Sequence, residues 1–326
     1  MKRRDLLRTL GWAVTAAAAA PVFAGLNLDE QERMVRMLGA HQRIDEPIIG
    51  HIESVLAQRN LVRAVLSECP AHLRPRLLSL FSNLSRFAGW LSFDLSDFDS
   101  AAYYYEQART AAHEAEDTEL GVFVLCNMSH LATWRGQPRV GIDHAMAAQG
   151  WARETDDLLL RSYVADVAAR AYATAGKREA CLEALDGIPA SLDDAAVHTP
   201  ATSLVYFYGA AQYAADRAQC LVLLNDASGA VQAAQQSLTL IDPSFVRNHA
   251  LSAVHLANAY IQSREIEGAT RVLGDAADLA GRNRSPRLVK LLLRSRDRLK
   301  PWKQTVAVQA LDERLSAYGW GASSTM

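Results

Sequence analysis

Alanine and leucine recur every three or four residues from Leu28 to Tyr318, and proline and glycine are scarce between them. That period predicts helix nearly throughout. The interruptions resemble one another. LSDFDSAAYYYEQA, RGQPRVGIDHAMAA, AGKREACLEAL, NDASGAVQAAQQSL and SREIEGATRVLGDAA each join a short polar turn to a small residue that lies inside a new helix. The small residues are Ala101, Gly141, Cys181, Ala230 and Ala269, with spacings of 40, 40, 49 and 39. Two helices per period of this length predict a stacked array of helical hairpins. A small residue at each marker lets the second helix of a hairpin cross closely over the first.

The last unit carries the fullest pattern: Leu256-Ala257, Tyr260, then Ala269, Leu273 and Ala276. These offsets resemble the tetratricopeptide repeat. Tyr172 keeps the tyrosine position in the third unit, whereas Ser92 and Ala132 replace it in the first two. The expected fold is all-α, a right-handed solenoid of about five tetratricopeptide-like hairpins with a closing C-terminal helix.

Composition narrows the function. Half of the 326 residues are apolar, enough for an extended core, and the formal net charge of −2 gives no general attraction to nucleic acid or an anionic membrane. No apolar run reaches the length of a membrane span. Cys69, Cys126, Cys181 and Cys220 are widely spaced inside apolar helical patterns, which predicts buried core positions and neither a disulfide set nor a metal site.

Catalytic motifs are missing: HExxH, GxSxG and GxGxxG do not occur. AYATAGKRE lacks the first glycine of a phosphate loop and has Arg178 where a hydroxyl would hold magnesium, so Gly176 reads as a helix C-cap. Asp156-Asp157 and Asp193-Asp194 read as helix caps. The expectation is a protein that is not an enzyme and carries no cofactor or metal.

A binding function then rests on the inner face of the array, formed by the first helix of each unit. Aligned on the markers, that face carries Asn83, Arg86 and Trp90 from the first unit and Asn127, His130 and Trp134 from the second. Tyr163, Asp166 and Arg170 come from the third, and His255, Asn258 and Gln262 from the fifth. One carboxamide both donates to and accepts from an extended peptide backbone, and aromatic and arginine neighbours supply anchors. The predicted partner is a peptide, small effector or protein in this groove. The basic stretch GRNRSPRLVKLLLRSRDRLKPWK holds nine Lys or Arg and one acid, Asp297. It reads as the solvated face of a terminal helix, with Leu288, Leu291, Leu292 and Leu299 turned inward. In DPSFVRN, Arg247 and Asn248 project from a first helical turn, and the segment reads as a helix start.

Several strings together resemble actinobacterial regulators of the XRE type: RRDLLR, LDEQER, VLAQRNLVRAVL, LCNMSHLATWRG, GIDHA, DPSFVRN, RVLGDAADLA, NRSPRLVK and LKPW with AVQALDERL. Those proteins join a helix-turn-helix to a long tetratricopeptide-like region, and the resemblance covers the second part only. It implies a sensor region that acts in transcriptional regulation without binding DNA itself, as a homodimer or paired with an intact regulator. HIESVLAQRNLVRAVL lacks a stretch that family members carry between its two halves, which puts the first hairpin's packing in question. The resemblance also makes residues 1–27 a cytoplasmic joint between domains. The same segment, with Arg3-Arg4 before an alanine-rich run, has the order of a twin-arginine signal, and export is the alternative. Residues 28–320 form the repeat domain and 321–326 a disordered tail in this reading.

Overall fold

The computed structural model describes residues 49–188, 192 and 203–321. Residues 1–27, Asp193-Asp194 and 322–326, on which the joint, one capping pair and most of the tail were placed, lie outside the described residues. Within the described residues the chain is all-α, with thirteen α-helices and no strand. In order they are α1 (Ile49–Leu66), α2 (Arg74–Asp94), α3 (Phe98–Glu114), α4 (Thr118–Trp134) and α5 (Pro138–Trp151). Then come α6 (Leu158–Thr174), α7 (Arg178–Asp186), α8 (Ala210–Leu223), α9 (Ala227–Leu240), α10 (Val246–Gln262) and α11 (Ile266–Asn283). The last two are α12 (Pro286–Asp297) and α13 (Val306–Ala317).

Five hairpins stack in sequence: α2–α3, α4–α5, α6–α7, α8–α9 and α10–α11. Helix α1 packs on α2 ahead of them, and α12 and α13 close the other end against α10 and α11. The fold is a helical-repeat solenoid. α1 runs unbroken through the HIESVLAQR junction, with Val55 and Val62 buried against α2, so the first hairpin keeps a complete inner neighbour.

One turn is repeated five times. Each hairpin reverses through a residue with positive φ: Ser96 (64°), Gly136 (74°), Gly176 (71°), Asn225 (59°) and Arg264 (62°). The amide one residue further on donates to a carbonyl five residues back in every case, as Asp97 does to Ser92, Gln137 to Ala132 and Glu265 to Tyr260, each at 2.9 Å. This is a Schellman closure, and it accounts for Gly176 as a cap. Each αL residue precedes its marker by the same step, so the spacing of the turns reproduces the spacing of the markers.

The markers sit where the helices cross. Ala101, Cys181, Ala230 and Ala269 are wholly buried. A Cβ on Gly141 would lie 2.5 Å from Thr133 Oγ1 and 3.2 Å from the Ser129 carbonyl oxygen. On the opposite helix of the first hairpin, a Cβ on Gly89 would lie 2.5 Å from the ring of the wholly buried Tyr105. Aspartates cap the helices that follow tight turns: Asp97, Asp117, Asp157 and Asp226 accept from Ser100, Leu120, Leu160 and Gly229 amides. Cys126, Cys181 and Cys220 are buried free thiols, and Cys69 is half-buried.

The long spacing in the middle has a structural cause. α7 has only 9 residues, and the segment before α8 turns back into the core, where Val205 and Tyr208 are buried.

Candidate functional site

The first helices of the five hairpins, α2, α4, α6, α8 and α10, share one inner face, and α12 completes it. Their side chains enclose a cavity of about 310 Å³. Eight of the twelve residues expected on this face line it: Arg86, Trp90, Asn127, His130, Trp134, Tyr163, Arg170 and His255.

The other four are placed behind or beside it. Asn83 accepts both Nε and Nη2 of Arg86 through Oδ1, at 3.0 and 2.9 Å, and so orients that guanidinium. Asp166 is wholly buried under Arg170, 3.0 Å from its Nη2. Asn258 accepts from Arg298 at 2.8 Å, and Gln262 donates to the Val222 carbonyl at 2.7 Å. Marker alignment finds the right helices, but a helix face spans a wide arc, and these four fall on its flanks.

The floor of the cavity is aromatic. Tyr163 meets Phe123, Phe207 and Tyr208 at centroid distances of 5.9, 5.5 and 5.2 Å, mostly edge to face. Phe207 comes from the irregular segment before α8, which no helical period could have signalled.

Across the floor runs a buried polar chain. Arg170 lies within 3.0 Å of Asp166 and 3.4 Å of Asp216, and its Nη2 donates to His130 Nε2 at 2.9 Å. Gln212 donates to Asp216 at 2.9 Å and accepts from Asn248 at 3.0 Å. Burial pushes His130 well below the usual imidazole range, and the charges of Arg170 and Arg247 push the same way, so the ring is a neutral acceptor. Burial likewise lowers His255 to about 4, although Asp216 works against it. Asp166 is raised well above the carboxylate range, first by burial and then by the charge of Asp216, with Arg170 opposing. Asp166 therefore tends to hold its proton beside a permanently charged arginine.

At the rim the two ends of the array meet. Asp94, at the end of α2, accepts from Arg247 of α10 at 3.0 Å and from Arg287 of α12 at 2.9 Å. Arg287 stacks over Phe93 at 4.2 Å and lies 5.3 Å from both Trp90 and Trp134. Arg247 covers Trp90 at 5.2 Å, and Arg294 covers Trp134 at 5.5 Å. Arg247 and Arg287 thus line the cavity and are neither cap nor solvent positions. The basic terminal stretch is divided: Leu288, Leu292 and Leu299 are buried as expected, while Arg287 clasps the first hairpin through Asp94. Trp90 and Trp134 are part rim, part packing for this clasp.

Asn127 is 2 % exposed, yet its Nδ2 has no hydrogen-bond partner. A buried donor left open on a cavity wall is costly unless something else accepts from it. No three His, Cys, Asp or Glu gather to hold a metal among the described residues. No helix among them is long and apolar enough to cross a membrane.

No family model matches the chain, and no curated protein matches it. Solved structures do. The chain is similar to a Rap protein crystallised in complex with Competence and Sporulation Factor, at a TM-score of 0.57 and 14 % identity, over 90 % of this chain and 86 % of that one. BtubC (BKLC) from P. vanneervenii aligns at a TM-score of 0.49 and 14 % identity, over 72 % of this chain and 91 % of that one. At these identities the likeness to the Rap protein is one of fold: a helical-repeat array of similar extent.

Proposed function

We propose that the chain is a non-catalytic sensor module whose inner groove binds a peptide, and that it acts in transcriptional regulation as the sensor region of an XRE-type regulator does. The observation that carries the binding function is the cavity itself, with Asn127 Nδ2 open on its wall between an aromatic floor and an arginine rim. The Rap protein of similar fold was crystallised in complex with Competence and Sporulation Factor, which supports a binding role for an array of this kind.

The mechanism would be a population shift. A ligand that bridges α2, α4 and α10 favours one curvature of the array, and the Asp94 clasp, which joins α2 to α10 and α12, ties that curvature to the rim. The differential affinity required for such coupling is about 1–3 kcal/mol. The module would work in the cytoplasm, as a homodimer or beside an intact regulator, with no DNA contact of its own.

The test is selection of a random hexapeptide phage library on the immobilised full chain, with the Asn127→Ala and Trp90→Ala variants as counter-targets. Binders lost on both variants are expected. Binders that all survive both substitutions would place the site elsewhere.

A further inference from the structure

The groove is unusually cationic for this chain. Five arginines line it, Arg86, Arg170, Arg247, Arg287 and Arg294, against one lining carboxylate, Asp216. The whole chain carries a formal charge of −2, so positive charge is concentrated on this face. The arginines differ in how they are balanced. Arg170 has two carboxylates, and Arg247 and Arg287 share the single acid Asp94. Exposed Arg294 has an aromatic face but no acid near it among the described residues.

Arg86 is the extreme case. It is buried at 8 % exposure, and its hydrogen-bond acceptor is the neutral Asn83 amide. Its nearest rings are Phe123 at 4.8 Å and Phe87 at 5.8 Å. No carboxylate is among the groups that act on it, and burial pulls it down to about 10. A desolvated guanidinium without a counter-charge destabilises the free protein. On the same wall, Asn127 offers its open donor. Both groups want an acceptor, and one of them wants a negative one.

We propose that the groove selects an acidic peptide, one of whose carboxylates docks on Arg86 with Asn127 donating beside it. A planar guanidinium held by Asn83 from one side is set for bidentate pairing with a carboxylate from the other. Arg294 at the rim draws acidic side chains toward the entrance, and the aromatic floor takes an apolar neighbour. This assignment rests on the groove being the binding site.

The experiment uses the full chain and three pools of N-acetylated random hexapeptides. Their two central positions are fixed as Asp/Glu, as Asn/Gln or as Lys/Arg, and citrate is a small-anion control. Binding is followed by thermal shift and by fluorescence anisotropy of labelled pools. The acidic pool is expected to bind at least tenfold more tightly than the amide pool. Arg86→Gln should erase that preference, and Arg294→Gln, at an exposed position, should reduce it without touching the fold. Arg86→Lys, keeping charge without the fork, should retain part of it. If Arg86→Gln fails to fold, the preference of the wild type, its reduction in Arg294→Gln and its partial retention in Arg86→Lys still decide. Tighter binding of the amide or basic pool would overturn the acidic assignment and leave the groove standing. Binding of none of the pools would remove both. A full response to citrate with none to any pool would replace the peptide by a small anion and overturn the assignment as stated.

Discussion

Asp94 and Arg287 stand 193 positions apart in the chain, yet Oδ1 of the first accepts from Nε of the second at 2.9 Å. Arg247 reaches the same oxygen from 153 positions away. In a solenoid each unit ordinarily touches only its neighbours. Here α2 and α12 are joined directly, and the groove is bounded at its rim by that joint.

Removing the acid should be costly. Asp94 is 1 % exposed, and both guanidinium groups are about nine-tenths buried. Asp94→Asn leaves two buried cations facing a neutral amide, with an expected loss of about 3–5 kcal/mol. Urea unfolding followed by circular dichroism measures it. A midpoint unchanged from wild type would mean that the clasp does not hold the ends together.

Asn127→Ala should separate binding from stability. It removes a buried donor that has no partner and places the better helix former in α4. The melting temperature should hold or rise, while groove ligand weakens about tenfold, corresponding to about 1.4 kcal/mol. A large drop in melting temperature would make Asn127 a structural residue instead.

Gly89→Ala tests the crossing of the first hairpin. The new methyl group would press on the Tyr105 ring at 2.5 Å, and that ring is wholly enclosed. Overpacking of this kind costs about 1–3 kcal/mol. Calorimetry of the variant should show the loss; Gly136→Ala is no control, because its positive φ strains any side chain.

The repeated turn predicts a gain. Arg264 occupies at φ 62° the position that Gly136 and Gly176 fill in other hairpins. Arg264→Gly relieves αL strain of about 1–2 kcal/mol, offset in part by glycine's greater freedom in the unfolded chain. A net stabilisation of up to about 1 kcal/mol is expected by denaturant titration. A loss would show that the Arg264 side chain contributes more than its backbone costs.

The cavity histidines predict acid sensitivity. His255 titrates near 6.5 when unfolded and about 4 when folded, so the unfolded chain binds more protons between those values. Stability therefore falls as pH drops from about 6.5 to 4. His130, lowered for the same main reason, acts in the same direction. Asp166, raised by burial, has the opposite sign: its contribution is present at low pH and is lost as pH rises from the ordinary carboxylate range. Melting temperatures at pH 7 and pH 5 should fall for wild type and fall less for His255→Gln. Equal falls in both proteins would show that His255 does not drive the acid loss.

The repeat was legible because it is written in local signals. Small residues at Ala101, Gly141, Cys181, Ala230 and Ala269 and the turns before them repeat at matching intervals, and each acts within its own hairpin. The first helices of four hairpins were identified as the inner face, and eight side chains on them reach the cavity. What escaped depends on closure in three dimensions. Gln212 and Asp216 sit on the first helix of the fourth hairpin, where the irregular spacing blurs the alignment. Phe207 has no periodic signal at all. Arg247 and Arg287 look like ordinary surface cations in sequence, because nothing local reveals that Asp94 lies opposite. Asn83, Asn258 and Gln262 have the chemistry of ligand contacts but use it on their own neighbours.

The Asp94 joint also sets an order of events during synthesis. Hairpins of a repeat array can fold one by one as they leave the ribosome, but this carboxylate waits for partners made 153 and 193 residues later. At about 5–20 residues per second, the interval before Arg287 emerges is on the order of 10–40 seconds. Over that time the end of α2 must stay wet or find a temporary partner. The early hairpins are thus assembled long before their rim is sealed, and the last helices to appear complete the first ones to form.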